Sequence, residues 1–377
     1  MNVIFTCGGT GGHINPAIAV ANIWKERHPQ DNILFIGAKD RMEEKLVPKA
    51  GFRLETIPAS GMSRGKNLKA LKHNLRAVSY VLQAVGRCKK IIRDFDADVV
   101  VGTGGYASFP ALKAASLMKI PTCVHEANAM PGLTTKMIAR RADRVLTCFP
   151  ESAKHYACPE KVETVGMPVR REFIFTNKED ARKELGLDDR PLIVSAFGSQ
   201  GARAMNQAIA ELFRLEQEAG FPYQHIHAIG SYGMSWMPEL VKEKGLDLSQ
   251  NNGISMLEYI YNMPTVMAAA DIIISRAGAS SCNEIAASGT PCILIPSPNV
   301  TDNHQEKNAR ALADKDAAVL ILEKDCTAQE LMKQISDLLG DKKRYADMEM
   351  ALKKVCVPDS AERLCDIIEQ LCHNKRR

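Results

Sequence analysis

The sequence predicts an α/β protein of two doubly wound parallel-sheet (Rossmann-like) domains that face each other across a cleft. The chain has 377 residues, about twice the length of an ordinary domain. Short β-branched runs alternate with helical periods from end to end, which is typical of parallel sheets covered by helices on both faces. Residues 99–101 and 272–274 are uninterrupted Val or Ile, as expected of strands buried on both faces.

Thirteen strands are expected, seven in the first half of the chain and six in the second. They cover residues 3–7, 33–37, 54–58, 98–102, 122–125, 144–148 and 162–165, then 192–197, 224–229, 253–259, 272–275, 292–296 and 318–322. Segments of helical period lie between them, for example 17–27, 68–95 and 207–219.

The two halves repeat one pattern. Residues 3–12 and 192–201 each read as a strand, a loop of small residues and the start of a helix. Pro168 breaks regular structure between the halves. We therefore expect one domain over 1–166 and a second over 167–357, with a final helix within 358–377.

Composition is that of an ordinary globular protein. Hydrophobic residues make up 45% and charged residues 25%, and no run approaches the ~18 apolar residues of a membrane-spanning helix. Residues 1–9 resemble no secretory signal. The 11 cysteines are scattered without a C-x-x-C pair, which favours reduced thiols in a cytoplasm and argues against a zinc site. The net charge of +5 is too small to indicate nucleic-acid binding by itself.

A loop of small residues follows the first strand of each half, GGTGGH at 8–13 and GSQGA at 198–202. Ligands of open α/β sheets bind at the carboxyl ends of strands, where glycines let backbone N–H groups approach an anion and the next helix adds its positive dipole end. We expect His13 to act as a base or as a hydrogen-bond partner for a hydroxyl, in preference to a mere capping role. Ser199 suits a phosphate or pyrophosphate, although a tight turn that binds nothing has the same pattern.

Two further strand ends in the second half carry polar side chains. The run SRAGASSCNE at 275–284 places Glu284 about one turn into a helix, where its carboxylate either binds a ribose diol or only stabilises the helix dipole. Polar residues at 299–305 follow the strand at 292–296 and suit sugar hydroxyls. The alternative there is a plain helix start capped by Asp302.

Two other runs resemble ligand sites. GTGGYA at 102–107 fits the dinucleotide pattern G-x-G-x-x-A, with Glu126 where a ribose-binding acid would stand. This loop follows a middle strand of its domain, so we favour the other glycine loops and keep a nicotinamide-dependent oxidoreductase as an alternative. DFDAD at 94–98 resembles a metal-binding run but precedes its strand, at the edge away from the ligands, so no metal site is expected.

Residues 64–93 contain nine Lys or Arg and no acid. A basic amphipathic helix of this kind indicates contact with an anionic membrane surface. The alternative is that its apolar stripe packs on the domain's own sheet, but the absence of acids favours the membrane. The stripe consists of Leu68, Leu71, Leu75, Val78, Leu82 and Val85, and Lys136, Arg140 and Arg141 extend the basic patch.

Seven motifs, in order from residue 1 to about 372, together resemble one family. They are GGTGGHINP at 8–16, GGY at 104–106, HEANAMPG at 125–132, GMPVR at 166–170, GSQGA at 198–202, RAGA at 276–279 with Glu284, and HQ at 304–305 with NA at 308–309. The family is that of the bacterial glycosyltransferases that add N-acetylglucosamine to undecaprenyl-pyrophosphoryl-N-acetylmuramyl-pentapeptide (lipid I) and so form lipid II for peptidoglycan. Phe197, Ala127 and Met167 depart from the commoner pattern, in which Gly, Gln and Asn are frequent.

The resemblance implies a GT-B architecture without metal or cofactor. The domain at 1–166 would take the lipid acceptor, with the helix within 358–377 crossing back to it, and the domain at 167–357 would bind UDP-N-acetylglucosamine. It also implies a peripheral enzyme at the cytoplasmic face of the cell membrane, with no nucleic-acid partner.

The resemblance also implies which residues hold the substrates. These are Thr10, Gly11 and Gly12 near the reacting sugar, Asn128 on a sugar hydroxyl, Arg170 and Ser199 near the pyrophosphate, backbone at Ile260 on the uracil, Ala279, Ser280, Ser281, Cys282, Asn283 and Glu284 on the nucleoside, and Gln305 on the sugar. His13 is the expected general base of an inverting transfer. A nucleotide-sugar epimerase of the same fold and a non-catalytic nucleotide-sugar sensor remain alternatives.

Overall fold

Two parallel β-sheets organise the protein, and every predicted strand is present. A computed structural model describes residues 1–58, 68–246, 248 and 253–375. The chain divides into a first unit, Met1–Arg170 with Val357–Arg377, and a second unit, Arg171–Cys356. The sheets have seven and six strands, so the predicted α/β fold class is confirmed.

Among the described residues, the first unit has seven strands and five α-helices before the chain leaves it. The strands are β1 Asn2–Thr6, β2 Asn32–Ala38, β3 Arg53–Ile57, β4 Val99–Gly102, β5 Thr122–Glu126, β6 Arg144–Thr147 and β7 Val162–Thr164; the helices are α1 Gly11–Arg27, α2 Glu43–Lys49, α3 Leu68–Asp94, α4 Ser108–Leu117 and α5 Leu133–Ala139. The strand order is β3-β2-β1-β4-β5-β6-β7, so β1 lies between β2 and β4. All pairs are parallel, and the carboxyl ends of the strands therefore share one edge.

Helices cover both faces of this sheet. Phe5 and Val101 point to the face that packs against α1, where Trp24 is completely buried. Ile4 and Val100 point to the opposite face, which packs against α3 and α4. Strands with two buried faces need apolar side chains at consecutive positions, which explains the uninterrupted runs in the sequence.

The second unit repeats the arrangement with six strands. The strands are β8 Leu192–Ala196, β9 Gln224–Ala228, β10 Ile254–Leu257, β11 Ile272–Ser275, β12 Cys292–Leu294 and β13 Val319–Leu320; the helices are α6 Glu172–Phe175, α7 Lys178–Glu184, α8 Arg203–Glu218, α9 Met237–Glu243, α10 Met263–Ala269, α11 Ala279–Ser288, α12 His304–Ala313, α13 Ala328–Gly340 and α14 Lys342–Val355. The order is β10-β9-β8-β11-β12-β13, all parallel. The strand expected at 318–322 is shorter, because β13 lies at the sheet edge and pairs with β12 alone.

The last helix, α15 (Ser360–Lys375), packs on α1. Leu364 and Ile368 are fully buried against the first sheet. At its exposed side Glu369 accepts a hydrogen bond from His28 Nε2 at 2.8 Å. The C-terminal helix thus completes the core of the first unit.

A buried polar network joins α8 to two strands of the second unit. Glu216 Oε1 accepts a hydrogen bond from His225 Nδ1 at 2.9 Å, and Ser195 Oγ lies 2.7 Å from both His225 Nε2 and His227 Nδ1. All four side chains are at most 1% exposed. Burial is the main cause that lowers the pKa of His227 to about 3, so this ring is neutral in the folded protein.

In the described ranges, none of the helices combines the length and the apolar content that crossing a bilayer needs. Residues 64–67 of the basic stretch lie outside the described residues, as do the side chains of its stripe from Leu68 to Val78.

Candidate functional site

Three loops lie side by side in strand order at the carboxyl edge of the first sheet. They follow the neighbouring strands β1, β4 and β5, and the first two pack backbone to backbone. A Cβ added at Gly105 would lie 2.1 Å from the carbonyl oxygen of Gly8, and one at Gly104 would lie 2.8 Å from His13 Nδ1. Gly104 and Gly105 therefore make room for the first loop, and Gly102 makes room for Leu112, where a Cβ would lie 2.5 Å from its Cδ1. Packing within the unit thus accounts for these three glycines without a dinucleotide.

His13 is held in a defined orientation by Thr103. The imidazole Nδ1 lies 3.0 Å from the Thr103 carbonyl oxygen, and the Thr103 hydroxyl donates to the His13 carbonyl at 2.6 Å. Because a carbonyl only accepts, Nδ1 carries the proton and Nε2 is the basic nitrogen of the neutral ring. The capping interpretation is wrong, since Thr10 occupies the N-cap position of α1. The sequence analysis missed Thr103, whose role depends on β4 lying beside β1.

Glu126 and Asn128 form a closed turn after β5. Glu126 Oε1 accepts from the backbone N–H of Asn128 at 2.9 Å and from its side-chain amide at 3.1 Å, and Oε2 accepts from Gly132 N at 2.9 Å. Both carboxylate oxygens thus accept hydrogen bonds from the loop itself, and Glu126 is only 3% exposed, which argues against the ribose-binding interpretation. The side-chain amide nitrogen of Asn128 points toward Glu126, so its Oδ1 points away from Glu126.

The segment that leaves the first sheet is anchored by His125. Its Nε2 donates to the Gly166 carbonyl at 2.8 Å, and burial is the main cause that lowers its pKa. Gly166 has a positive φ of 81°, and a Cβ there would lie 2.4 Å from Val357. Arg170 follows as an exposed residue at the end of the first unit.

The loop after β8 is interlocked with the loop after β9. A Cβ at Gly201 would lie 2.2 Å from the Ile229 carbonyl oxygen, and one at Gly230 would lie 2.1 Å from Gly201 N. Ser231 N donates to the Ser199 carbonyl at 3.2 Å. Helix α8 begins at Arg203, and its N-cap residue Ala202 has a methyl group that cannot accept a hydrogen bond. The exposed loop with Ser199 therefore precedes an N-terminus suited to an anion, and the sequence analysis missed its partner loop.

Helix α11 begins at the first of the six positions expected on a nucleoside. The helix turns some of these positions inward and others outward. Cys282 and Asn283 are buried, and Asn283 Nδ2 donates back to the Ala279 carbonyl at 2.8 Å. The preceding turn is fixed by the buried Asn308, whose Nδ2 donates to the Ala277 carbonyl at 3.2 Å. Ala279, Ser280, Ser281 and Glu284 are partly exposed.

Phe197 is accommodated beneath Arg276. Its ring is 4% exposed, with the Arg276 guanidinium carbon 5.9 Å from the ring centroid and His227 edge-on at 6.0 Å. Arg276 also donates to the Ile295 carbonyl at 3.0 Å and pairs with Glu323. The large side chain is thus absorbed into the interior and the turn at Gly198 follows it directly.

Gln305 and Ile260 lie on two further loops of the second unit. Gln305 Oε1 accepts a hydrogen bond from Ser297 N at 2.8 Å, which orients the side-chain amide so that its NH₂ group points away from Ser297. Ile260 follows β10 and is 1% exposed as a whole residue, so its side chain belongs to the interior. The capping role of Asp302 is wrong, because α12 begins at His304 and the N-cap position is Asn303, in a left-handed conformation.

The carboxyl edges thus hold the predicted residues in two groups. The first unit carries Thr10, Gly11, Gly12, His13, Asn128 and Arg170; the second carries Ser199, Ile260, Ala279 to Glu284 and Gln305. Within the part of the chain that is described, no group of three or more His, Cys, Asp and Glu is arranged to hold a metal ion.

Comparison with known proteins gives a consistent family. Residues 3–147 match the glycosyltransferase family 28 N-terminal domain, and residues 192–364 match the family 28 C-terminal domain. The UDP-N-acetylglucosamine--N-acetylmuramyl-(pentapeptide) pyrophosphoryl-undecaprenol N-acetylglucosamine transferase of Acetivibrio thermocellus is 41% identical, over 100% of this chain and 99% of that protein. The transferase of the same name from Desulforudis audaxviator is 39% identical over 98% of each.

Solved structures agree with this assignment. The crystal structure of MurG from Acinetobacter baumannii has a TM-score of 0.74 at 26% identity, covering 98% of this chain and 99% of that one. The UDP-GlcNAc 2-epimerase of Neisseria meningitidis has a TM-score of 0.69 at 14% identity, covering 98% and 100%, and this likeness shows the fold alone. Glycosyl transfer is therefore supported over the epimerase and oxidoreductase alternatives. The chain belongs to glycosyltransferase family 28, among the UDP-N-acetylglucosamine--N-acetylmuramyl-(pentapeptide) pyrophosphoryl-undecaprenol N-acetylglucosamine transferases.

Proposed function

We propose that this enzyme transfers N-acetylglucosamine from UDP-N-acetylglucosamine to the 4-hydroxyl of undecaprenyl-pyrophosphoryl-N-acetylmuramyl-pentapeptide, with inversion at the anomeric carbon. The observation that carries the proposal is the near full-length identity to relatives named for this transfer. The acceptor domain would be 1–166 with the helix within 358–377, and the donor domain 167–357.

The second unit offers matching groups for each part of the donor. Positive N–H groups at the start of α8, with the Ser199 hydroxyl, suit the diphosphate. Arg170, which the family resemblance assigns to the pyrophosphate, is the exposed last residue of the first unit. Glu284 suits the ribose diol, and the backbone at Ile260 suits the uracil. The oriented NH₂ group of Gln305 suits an acceptor oxygen of the sugar.

The first unit offers the groups for the attack. His13 Nε2 takes the proton of the 4-hydroxyl while that oxygen forms the new bond to the anomeric carbon, and the bond to the UDP oxygen breaks. Thr10, Gly11 and Gly12 lie next to this base at the start of α1, and the Oδ1 of Asn128 suits a sugar hydroxyl. UDP leaves with its added negative charge facing backbone N–H groups, so the proposal uses no metal.

A membrane-facing surface on the first unit would bring the enzyme to its lipid acceptor. Leu82, Leu133 and Met137 are 70%, 61% and 53% exposed, so the stripe residue Leu82 lies away from the core-facing side of α3. Lys136 on α5 and Arg140 and Arg141 just after it are exposed, so three cations lie beside this apolar surface. We propose peripheral binding to anionic lipid at the cytoplasmic face.

A transfer assay tests the function. Radiolabelled UDP-N-acetylglucosamine is incubated with a short-chain lipid I analogue and a metal chelator, and label is expected in the lipid product. Formation of UDP-N-acetylmannosamine in the absence of the lipid acceptor would favour an epimerase. The absence of any lipid-linked label would refute the transfer.

Removal of the base should separate binding from turnover. We expect His13→Ala to lower kcat by about 10²–10⁴-fold, since a positioned general base contributes that much. Calorimetry should give an unchanged Kd for UDP-N-acetylglucosamine. His28→Ala, at the other end of α1, is the matched control. Near wild-type turnover in His13→Ala would refute the base assignment.

Removal of the ribose contact should weaken donor binding. We expect Glu284→Ala to raise KM for the donor about 10- to 100-fold, as loss of a charged hydrogen-bonding group does. The wild type should bind a donor with 2′-deoxyribose more weakly than the normal donor. The variant should bind the two donors equally. If the variant still discriminates the two donors, Glu284 does not contact the ribose.

Charge placed on the exposed apolar surface should release the protein from vesicles. We expect Leu133→Asp with Met137→Asp to reduce co-sedimentation with vesicles containing phosphatidylglycerol at least about tenfold. Met350→Asp alters an equally exposed methionine of the second unit and should have no effect. Unchanged sedimentation of the double variant would remove this surface from the membrane contact.

A further inference from the structure

Glu43 is a completely buried carboxylate beneath the glycine loop of the first unit. It is the first residue of α2 and 0% exposed. Its Oε1 accepts hydrogen bonds from Gly9 N at 3.0 Å and from Ala38 N at 3.3 Å. Its Oε2 has no hydrogen-bond partner among the residues that the structure describes. A carboxylate in this position costs free energy, so its contact with Gly9 calls for a physical explanation.

Two other glycines make space for this side chain. A Cβ added at Gly37 would lie 2.9 Å from Glu43 Cβ and Cγ, and one at Gly8 would lie 3.3 Å from its Oε1. The carboxylate therefore reaches the loop through a gap in which neither backbone has a side chain. Its charge is close enough to contribute, after burial, to the raised pKa of the Cys7 thiol.

The bond from Glu43 fixes the residue that precedes the His13 turn. Gly9 has a φ of 88°, and on its other side a Cβ would lie 2.9 Å from the ring of Tyr106. The next residue, Thr10, is the N-cap of α1, and its carbonyl accepts from His13 N at 3.0 Å. A shift at Gly9 would thus move the first turn of the helix.

We propose that Glu43 is a positioning residue for transfer, acting through Gly9 on the placement of His13. This inference rests on the base role proposed for His13. Because Glu43 is fully buried, it acts through Gly9 and not by contact with a substrate. What matters is that its oxygen reaches Gly9 N–H to accept the hydrogen bond, more than its negative charge.

Two substitutions separate reach from charge. Glu43→Gln keeps an oxygen at the same reach and loses the charge, and Glu43→Asp keeps the charge and withdraws the oxygen by one methylene. We expect Glu43→Asp to lower kcat by about 10- to 100-fold, because small misplacements of a catalytic group have effects of that size. Glu43→Gln should keep most of kcat, and both should leave KM for the donor unchanged.

Glu216 provides the matched control for stability. It is also buried with one oxygen unpartnered among the described residues, but it lies in the second unit near the far end of α8. Glu216→Asp should lower the midpoint of thermal unfolding as Glu43→Asp does, yet leave kcat at the wild-type level. All variants are assayed at least 15 °C below their unfolding midpoints.

A double variant tests the route of action. In a His13→Ala background, Glu43→Asp should have little further effect on kcat, because both changes remove the same contribution. Additive losses would overturn the inference, as would kcat in Glu43→Asp equal to wild type or an equal loss in Glu216→Asp. Turnover retained by His13→Ala would instead contradict the base assignment, whatever Glu43 does.

Discussion

Backbone-to-backbone contact between neighbouring loops is the constraint on which both candidate sites depend. In the first unit Gly105 sits against the carbonyl of Gly8, and in the second Gly230 sits against Gly201, at approaches that exclude any side chain. Both contacts join loops that follow adjacent strands, β1 with β4 and β8 with β9. Loops packed this closely have little freedom, so their N–H groups and the helices that follow them are preoriented.

The strands and the ligand edge were predictable from sequence because they follow from local physics. A strand covered on both faces must be apolar at consecutive positions, and the runs at 99–101 and 272–274 have that pattern. A loop after a parallel strand must lie at the carboxyl edge, so Ser199 and His13 were assigned to that edge without knowledge of any contact. The strand expected at 318–322 was too long, since β13 pairs with a single neighbour.

The residues that sequence analysis missed depend on the order of strands in the sheet. Thr103 can hold His13 only because β4 pairs with β1, although 90 residues separate them. Glu43 has the same pattern as any acid in the first turn of a helix, where dipole stabilisation is the ordinary expectation. Glu126 is the opposite case. Its spacing fits a ribose-binding acid, but its oxygens accept hydrogen bonds from the turn that follows it.

The two units handle different charges although they share one architecture. In the first, a carbonyl fixes the tautomer of a histidine, and a buried carboxylate holds the turn before it, an arrangement suited to moving a proton. In the second, a helix starts at an alanine after a loop of small residues, an arrangement suited to a diphosphate. His225 and His227 of the second unit lie inside the core, and His227 is neutral there, so these two histidines take no part in that charge balance. The two units thus have similar sheet edges, and the residues in their loops suit those edges to different chemistry.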